Sequence, residues 1–258
     1  MVCGKGRTCW QKPKINQRKM KADFSAIVLA GGRSSRMGTD KLFLEWEGQT
    51  LFEKAVAKAH RIADEVIVSV NHFLPIAPPT VRQVIDLVPG QGPLMGLFAA
   101  LTACRSHRAL VLSPDIPFLS DGLLLSIKGA SPSFDLVVPR WRGRTEPLCS
   151  VYSKTVLPAI EACLKKGERS LKALFQTDGL SIAYLSEGFL RRWGDPALMF
   201  LNLNTPEDYR KALILLRARL STANPLRNRA DRVTLETASP PKFGKERINA
   251  GRLVRTGD

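Results

Sequence analysis

The chain has 258 residues, 44% of them hydrophobic, which suffices for one large α/β domain or two small ones around a substantial core. The basic N-terminus lacks a following apolar segment, no apolar run approaches a membrane helix, and five scattered cysteines form no Cys-x-x-Cys pair. These features predict a cytoplasmic protein without membrane contact, a disulfide framework or a zinc site. The net charge of +16 is concentrated at the two ends of the chain, so it says little about the fold of the central region.

The chain begins with residues 1–22, which carry seven Lys or Arg and no acidic residue; we interpret them as a basic flexible arm. From residue 23 to 220, short apolar runs alternate with stretches of helical spacing, which indicates one folded domain. Residues 221–258 show no sustained pattern and are predicted to form a basic C-terminal tail. In chain order the domain pattern predicts a strand over 25–30, a helix over 50–62, strands over 65–70 and 81–87, a helix over 93–103, a strand over 109–112, a helix over 120–128, strands over 135–138 and 148–152, a helix over 153–165, strands over 182–185 and 199–203, and a helix over 205–219.

This alternation is typical of an α/β protein with a mostly parallel central sheet and helices on both faces. Ligands bind such sheets beyond the carboxyl ends of the strands. Asn71, Asp86 and Asp115 each follow a predicted strand, and so does a glycine-rich loop after residue 30. We therefore expect four polar sites to converge on one crevice.

The glycine-rich loop, residues 29–41, reads Leu-Ala-Gly-Gly-Arg-Ser-Ser-Arg-Met-Gly-Thr-Asp-Lys. Glycines allow close backbone approach, and successive amides with nearby cations can wrap a triphosphate. The pattern is neither a Walker loop nor a dinucleotide motif. The residues that would form this cradle are Gly31, Gly32, Gly38, Arg33, Arg36 and Lys41, of which Arg33 could equally be a solvated side chain.

Asp115 lies between two prolines in Leu-Ser-Pro-Asp-Ile-Pro. The prolines stiffen the turn, and one carboxylate together with substrate phosphates is a common way to hold Mg²⁺. The competing interpretation is an Asx turn. Asp86 could contact a ribose or a nucleobase, join the metal shell or end its strand in solvent, and Asn71 could bind the nucleotide or merely form a turn.

A polar stretch containing Arg140, Arg142, Arg144 and Glu146 precedes Pro147. Arginines suit an anionic second substrate, so this stretch could line the acceptor side of the site. A solvated hairpin tip explains the same residues equally well.

The chain resembles the molybdenum cofactor guanylyltransferase (MobA-type) family over about residues 25–219. The resemblance rests on the order and spacing of five motifs. They are Leu-Ala-Gly-Gly with Arg-Met-Gly and Asp-Lys, Gly-Pro-Leu-Met-Gly at 92–96, Pro-Asp-Ile-Pro at 114–117, Glu-Pro-Leu-Cys-Ser-Val-Tyr at 146–152 and Asn-Leu-Asn-Thr-Pro-Glu-Asp at 202–208.

The resemblance implies a Rossmann-like nucleotidyltransferase fold and a Mg²⁺-dependent transfer of GMP from GTP to Mo-molybdopterin with release of pyrophosphate. It further implies contacts with molybdenum-insertion proteins and molybdoenzyme chaperones. Cytidylyl-transferring relatives usually carry alanine where Gly31 stands, so glycine there is consistent with a purine. The nucleotide site that the resemblance implies comprises Leu29, Ala30, Gly31, Lys41, Asn71 and Asp86, with Asp115 the metal ligand. From the chemistry of the loop we add Gly32 to the binding residues, count Asp115 among them through its metal, and predict Lys41, Arg36 and Asp115 to be catalytic.

Two other functions fit parts of the sequence. The first is nucleotidyl transfer to another phosphorylated acceptor, including cytidylyl transfer to molybdopterin, a sugar phosphate or another cofactor. The second is nucleic-acid binding through the basic arms. We rank it low, because only 7% of the residues are aromatic and the core shows no alternation of aromatic and basic residues.

Overall fold

The computed structural model describes residues 23–31, 41–75, 77–86 and 90–223. The strands are β1 (Ser25–Leu29), β2 (Glu45–Trp46), β3 (Gln49–Thr50), β4 (Glu65–Val70), β5 (Arg82–Ile85), β6 (Arg108–Leu112), β7 (Leu136–Trp141), β8 (Arg144–Thr145), β9 (Cys149–Ser153) and β10 (Ile182–Leu185). The helices are α1 (Leu51–Ile62), α2 (Gly92–Ala103), α3 (Asp121–Ala130), α4 (Leu157–Lys165), α5 (Glu187–Leu190), α6 (Pro196–Met199) and α7 (Pro206–Ala223). No helix in these ranges is long and apolar enough to cross a membrane.

The central sheet has the strand order β10-β7-β9-β6-β1-β4-β5, with β8 paired to β7. Strands β6, β1, β4 and β5 are parallel neighbours, and β10 is parallel to β7. Strand β9 runs antiparallel to both of its neighbours, β6 and β7. The predicted mostly parallel sheet is therefore confirmed, although the direction of β9 was not predicted.

Both faces of the sheet are covered, as expected from a central strand that is apolar from Ala26 to Leu29. In β1 the alternate side chains Ala26 and Val28 pack toward α1 and α3, whereas Ile27 and Leu29 pack toward α2 and α4. All five residues of β1 are buried, because the period of two sends successive side chains to opposite covered faces.

Helix α1 begins where its sequence predicts. The Thr50 hydroxyl accepts a hydrogen bond from the Glu53 amide, and the Glu53 carboxylate accepts one from the Thr50 amide. This reciprocal capping box satisfies two backbone donors at the helix start. The helix then buries Ala55, Ala59 and Ile62 against the sheet, whereas Leu51 packs with Trp46 and Phe118.

The predicted strand over 199–203 is wrong. Met199 ends the short helix α6, and the irregular segment that follows buries Phe200 and Leu203. The Leu203 amide donates to the backbone oxygen of Asp115 at 2.9 Å instead of joining a strand ladder. A short apolar run does not by itself distinguish a strand from a buried irregular segment.

Candidate functional site

Lys41 and Asp115 form an ion pair at the carboxyl edge of the sheet. Asp115 follows β6, and Lys41 starts a 3-10 turn that follows the glycine-rich segment. The Lys41 Nζ donates to Asp115 Oδ2 at 2.5 Å, and the Asp115 side chain is only 7% exposed. Lys41 and Asp115, which are 74 positions apart in the sequence, are thus in contact beyond the strand ends, where the sequence predicts the ligand to bind.

The second carboxylate oxygen of Asp115 has a different environment. Asp115 Oδ1 is buried and has no hydrogen-bond partner among the described residues, and the same holds for Asn202 Oδ1. A buried carboxylate oxygen without a donor is costly unless a cation or another donor satisfies it. A hard divalent cation fits such an oxygen. The described chain has no cluster of three or more His, Cys, Asp or Glu that could hold a metal, so this site would need oxygens from a substrate or water.

Gly31 lies directly against Asn71. The amide of Ala30 donates to the Ser69 carbonyl at 2.9 Å, which continues the pairing of β1 and β4 past the end of β1. A Cβ added at Gly31 would lie 3.1 Å from Asn71 Oδ1. Gly31 and Asn71 therefore lie side by side where two neighbouring parallel strands end, and half-buried Ala30 and buried Leu29 lead into Gly31.

Asp86 lies at the end of the next strand. Its amide donates to the Val70 carbonyl at 3.0 Å, and its Oδ1 accepts a hydrogen bond from the Ser69 hydroxyl at 2.9 Å. Burial raises the pKa of the Asp86 carboxyl, while the Ser69 hydrogen bond opposes that rise. Gly96 closes the cluster, since a Cβ there would lie 2.7 Å from Ser69 Oγ. Ser69 was not singled out from the sequence, and Gly96 was noted only as the last residue of the Gly-Pro-Leu-Met-Gly motif.

Four residues of the predicted phosphate cradle lie outside the described residues: Gly32, Arg33, Arg36 and Gly38. Their role stays a prediction. Of that cradle, the structure describes Gly31 at its start and Lys41 at its end.

The arginine-rich stretch forms a hairpin between β7 and β8. Arg142 and Gly143 both have positive φ, 48° and 73°, as a two-residue hairpin turn requires. Because β9 is antiparallel to both β6 and β7, those two strands run the same way, and the hairpin leaves the sheet at the same edge as Asp115. At the usual strand spacing, β6 and β7 lie about 10 Å apart where β9 pairs with both of them.

The hairpin borders an open cavity of about 330 Å³ lined by Arg140, Arg144, Lys172 and Tyr184, among others. The Arg140 guanidinium lies over the Tyr184 ring at 5.6 Å from its centroid. Burial raises the pKa of nearby Glu146 to about 7, with Lys172 and Arg144 opposing the rise. The stretch is therefore a hairpin tip that also lines a cationic cavity, to which Lys172 and Tyr184 contribute from distant parts of the chain.

The mostly parallel sheet, the glycine at a strand end and the part-buried lysine–aspartate pair are features of an α/β protein of the nucleotidyltransferase class. Residues 26–181 match the MobA-like NTP transferase domain. The chain belongs to this MobA-like NTP transferase family.

Known proteins resemble the chain over most of its domain. A Methanosarcina mazei protein named a probable molybdenum cofactor guanylyltransferase is 35% identical over 209 residues, which is 76% of this chain and 92% of the relative. The crystal structure of molybdopterin-guanine dinucleotide biosynthesis protein A from Archaeoglobus fulgidus matches with a TM-score of 0.63 and 22% identity, over 75% of this chain and 99% of that one. A Mycobacterium tuberculosis protein, solved in complex with manganese, matches with a TM-score of 0.57 and 19% identity, over 74% and 98% of the two chains. The two structures support the fold.

Proposed function

We propose that the protein transfers GMP from GTP to the terminal phosphate of Mo-molybdopterin, with release of pyrophosphate and with Mg²⁺ held at Asp115. The observation that carries this proposal is the pair of half-buried Lys41 and buried Asp115, in which one carboxylate oxygen is left without a donor among the described residues. The name of the Methanosarcina relative supports guanylyl transfer to the molybdenum cofactor. The manganese complex of the mycobacterial protein supports a divalent ion in this fold.

The proposed reaction joins a phosphate oxygen of the acceptor to the α-phosphorus of GTP. The bond from that phosphorus to the oxygen bridging to the β-phosphate breaks, and pyrophosphate leaves with the electron pair. The acceptor phosphate is already ionised at neutral pH, so the protein need not supply a base. Its contribution is alignment of the two phosphates and neutralisation of their charge.

On the triphosphate side, Asp115 Oδ1 would hold the metal ion together with phosphate and water oxygens. When bound, Mg²⁺ supplies positive charge to the reacting phosphates. Lys41 pairs with Asp115, and in this proposal its ammonium would also contact a phosphate oxygen of bound GTP. Arg36 belongs to the same proposal, from its place in the glycine-rich loop.

On the nucleoside side, Gly31 and Asn71 would border the guanine, because Gly31 has no side chain and the Asn71 amide can both donate and accept. The Asp86 carboxylate, oriented by Ser69, would accept a hydrogen bond from a ribose hydroxyl or from a guanine N–H. Residues at the ends of three neighbouring strands would then bind one nucleoside, as is usual for open α/β sheets.

On the acceptor side, we assign the cationic cavity lined by Arg140, Arg144 and Lys172 to the pterin phosphate. It opens at the same sheet edge as Asp115, and arginine pairs well with phosphate. Contacts with molybdenum-insertion proteins and molybdoenzyme chaperones are part of the proposal. So is a cytoplasmic location, which the free buried Cys104, Cys149 and Cys163 support.

The proposal is tested by measuring pyrophosphate release with each of the four nucleoside triphosphates and with Mo-molybdopterin, a pterin phosphate without metal or a sugar phosphate as acceptor. We expect release with GTP and Mo-molybdopterin, together with a guanylylated product of the matching mass. Release with CTP in preference to GTP, or with only the sugar phosphate, would refute the proposed substrates.

A further inference from the structure

A lysine interrupts the apolar stripe of α1. Leu51, Ala55 and Ile62 are buried and recur at helical spacing, and Lys58 continues the same stripe. Its Nζ donates to the carbonyl oxygen of Pro117 at 3.2 Å and also to that of Leu119. The contacts join positions about 60 residues apart and leave the ammonium facing backbone oxygens.

The two carbonyls belong to the segment 113–119, which connects β6 to α3 and carries Asp115. This segment is also held by the Leu203 amide, which donates to the Asp115 carbonyl at 2.9 Å. Within the segment, the Ile116 amide donates to the Ser113 carbonyl at 3.4 Å, a weak turn contact. Lys58 thus anchors the part of the segment that follows the aspartate, while Leu203 and Lys41 hold the backbone and the side chain of Asp115 itself.

The surroundings of Lys58 do not form a ligand site. The space beside its stem, bounded by Ala55 and Leu112 among others, is only about 10 Å³, which is too small for anything larger than one water molecule. Burial lowers the pKa of Lys58 to about 8; Asp121 and Cys149 oppose that change, and Arg61 and Lys54 add to it. An apolar residue would fill the stripe without this electrostatic cost, so packing alone does not explain a lysine here.

We propose that Lys58 is a positioning residue, whose ammonium fixes the 113–119 segment so that Asp115 presents its unpartnered Oδ1 to a divalent cation. The metal part of this inference rests on the proposed function. Residues that orient a ligand to a metal change metal affinity by roughly 10–100-fold when they are removed. Lys58 would act on the metal only through the backbone that carries its ligand.

The test compares Lys58→Met and Lys58→Gln with Lys54→Met, all in the full chain. Lys54 lies one turn earlier on α1 and pairs with Glu47 at 2.5 Å, so its variant is a matched control. Mn²⁺ binding is measured by electron paramagnetic resonance in the presence of GTP, and amide hydrogen exchange over 113–119 is measured without ligands. We expect Lys58→Met to weaken Mn²⁺ binding about tenfold and to speed exchange in this segment. We expect Lys58→Gln to fall between Lys58→Met and wild type, and Lys54→Met to match wild type.

Unchanged Mn²⁺ affinity and unchanged exchange over 113–119 in Lys58→Met would overturn the inference. So would faster exchange throughout the domain, which marks a general loss of stability. If Lys58→Met does not fold, Lys58→Gln takes its place. Unchanged Mn²⁺ affinity and unchanged exchange over 113–119 in Lys58→Gln would then overturn the inference. Equal Mn²⁺ binding by wild type and Asp115→Asn would instead refute the proposed metal role of Asp115, and exchange over 113–119 would still report whether Lys58 anchors the segment.

Discussion

Replacing Gly31 by alanine should reduce the use of GTP relative to CTP. The backbone of Gly31 lies outside the left-handed region, so alanine is permitted there and the effect must come from its contacts. The added Cβ would lie 3.1 Å from Asn71 Oδ1, 3.5 Å from its Cγ and 3.6 Å from the Asn71 amide nitrogen. Only the contact with Oδ1 is tighter than an ordinary van der Waals contact, and the backbone nitrogen is not crowded. The Asn71 side chain must therefore yield by a few tenths of an ångström.

One methyl group in a tight site is worth roughly 1–3 kcal/mol, or at least about tenfold in rate. A purine occupies more of the space beside Gly31 than a pyrimidine, so most of this loss should fall on GTP. We expect the ratio of kcat/KM for GTP to that for CTP to fall about tenfold, as measured from initial rates of pyrophosphate release.

Gly129→Ala is a matched control, because Gly129 lies in α3 and nothing lies within 4 Å of its added Cβ. This variant should leave nucleotide preference unchanged and stabilise the helix by about 0.5–1 kcal/mol. A GTP-to-CTP ratio in Gly31→Ala equal to that of wild type would refute the assignment of Gly31 to the base.

Three other predictions concern charge and domain boundaries. Lys41→Met should weaken GTP binding about tenfold or more in a calorimetric titration, since it removes a charge-assisted contact worth roughly 1.5–3 kcal/mol; an unchanged titration would exclude Lys41 from the nucleotide site. Glu146→Gln should be more stable than wild type at about pH 8 by on the order of 1 kcal/mol, and the difference should vanish at about pH 4. The reason is that burial raises the pKa of Glu146 from 4.5 to about 7, so its contribution to stability is complete below 4.5 and is lost as the pH rises through 7. A difference in thermal unfolding that is independent of pH would contradict this cause. Removing residues 1–22 and 224–258 should leave GMP transfer within twofold of the full chain, and loss of transfer would show that the arms belong to the enzyme.

Much of the fold could be predicted because most of its elements are long enough to show a period. The buried run of β1 and the capped, amphipathic α1 are clear examples. Direction is not encoded in such patterns, which is why the antiparallel β9 between β6 and β7 was not predicted. The two-residue strands β2, β3 and β8 are too short to show any periodicity.

The candidate site likewise contains residues that could be predicted from the sequence and residues that could not. Asn71, Asp86 and Asp115 could be located because each follows an apolar run that forms a strand. Ser69 and Lys172 could not, because their importance depends on neighbours at least 12 residues away. Lys58 did leave a signal, a lysine in the stripe of Leu51, Ala55 and Ile62, but only the structure supplies the carbonyls that it binds.

The central claim is that a buried aspartate at the end of β6 holds the metal for guanylyl transfer, and the rate of transfer from GTP labelled at its α-phosphate tests it most directly. Asp115→Asn keeps the shape of the side chain but lacks the negative charge. We expect the single-turnover rate to fall at least about 100-fold, the scale of a metal or charge-stabilising contributor. Transfer by Asp115→Asn at the wild-type rate would contradict the claim.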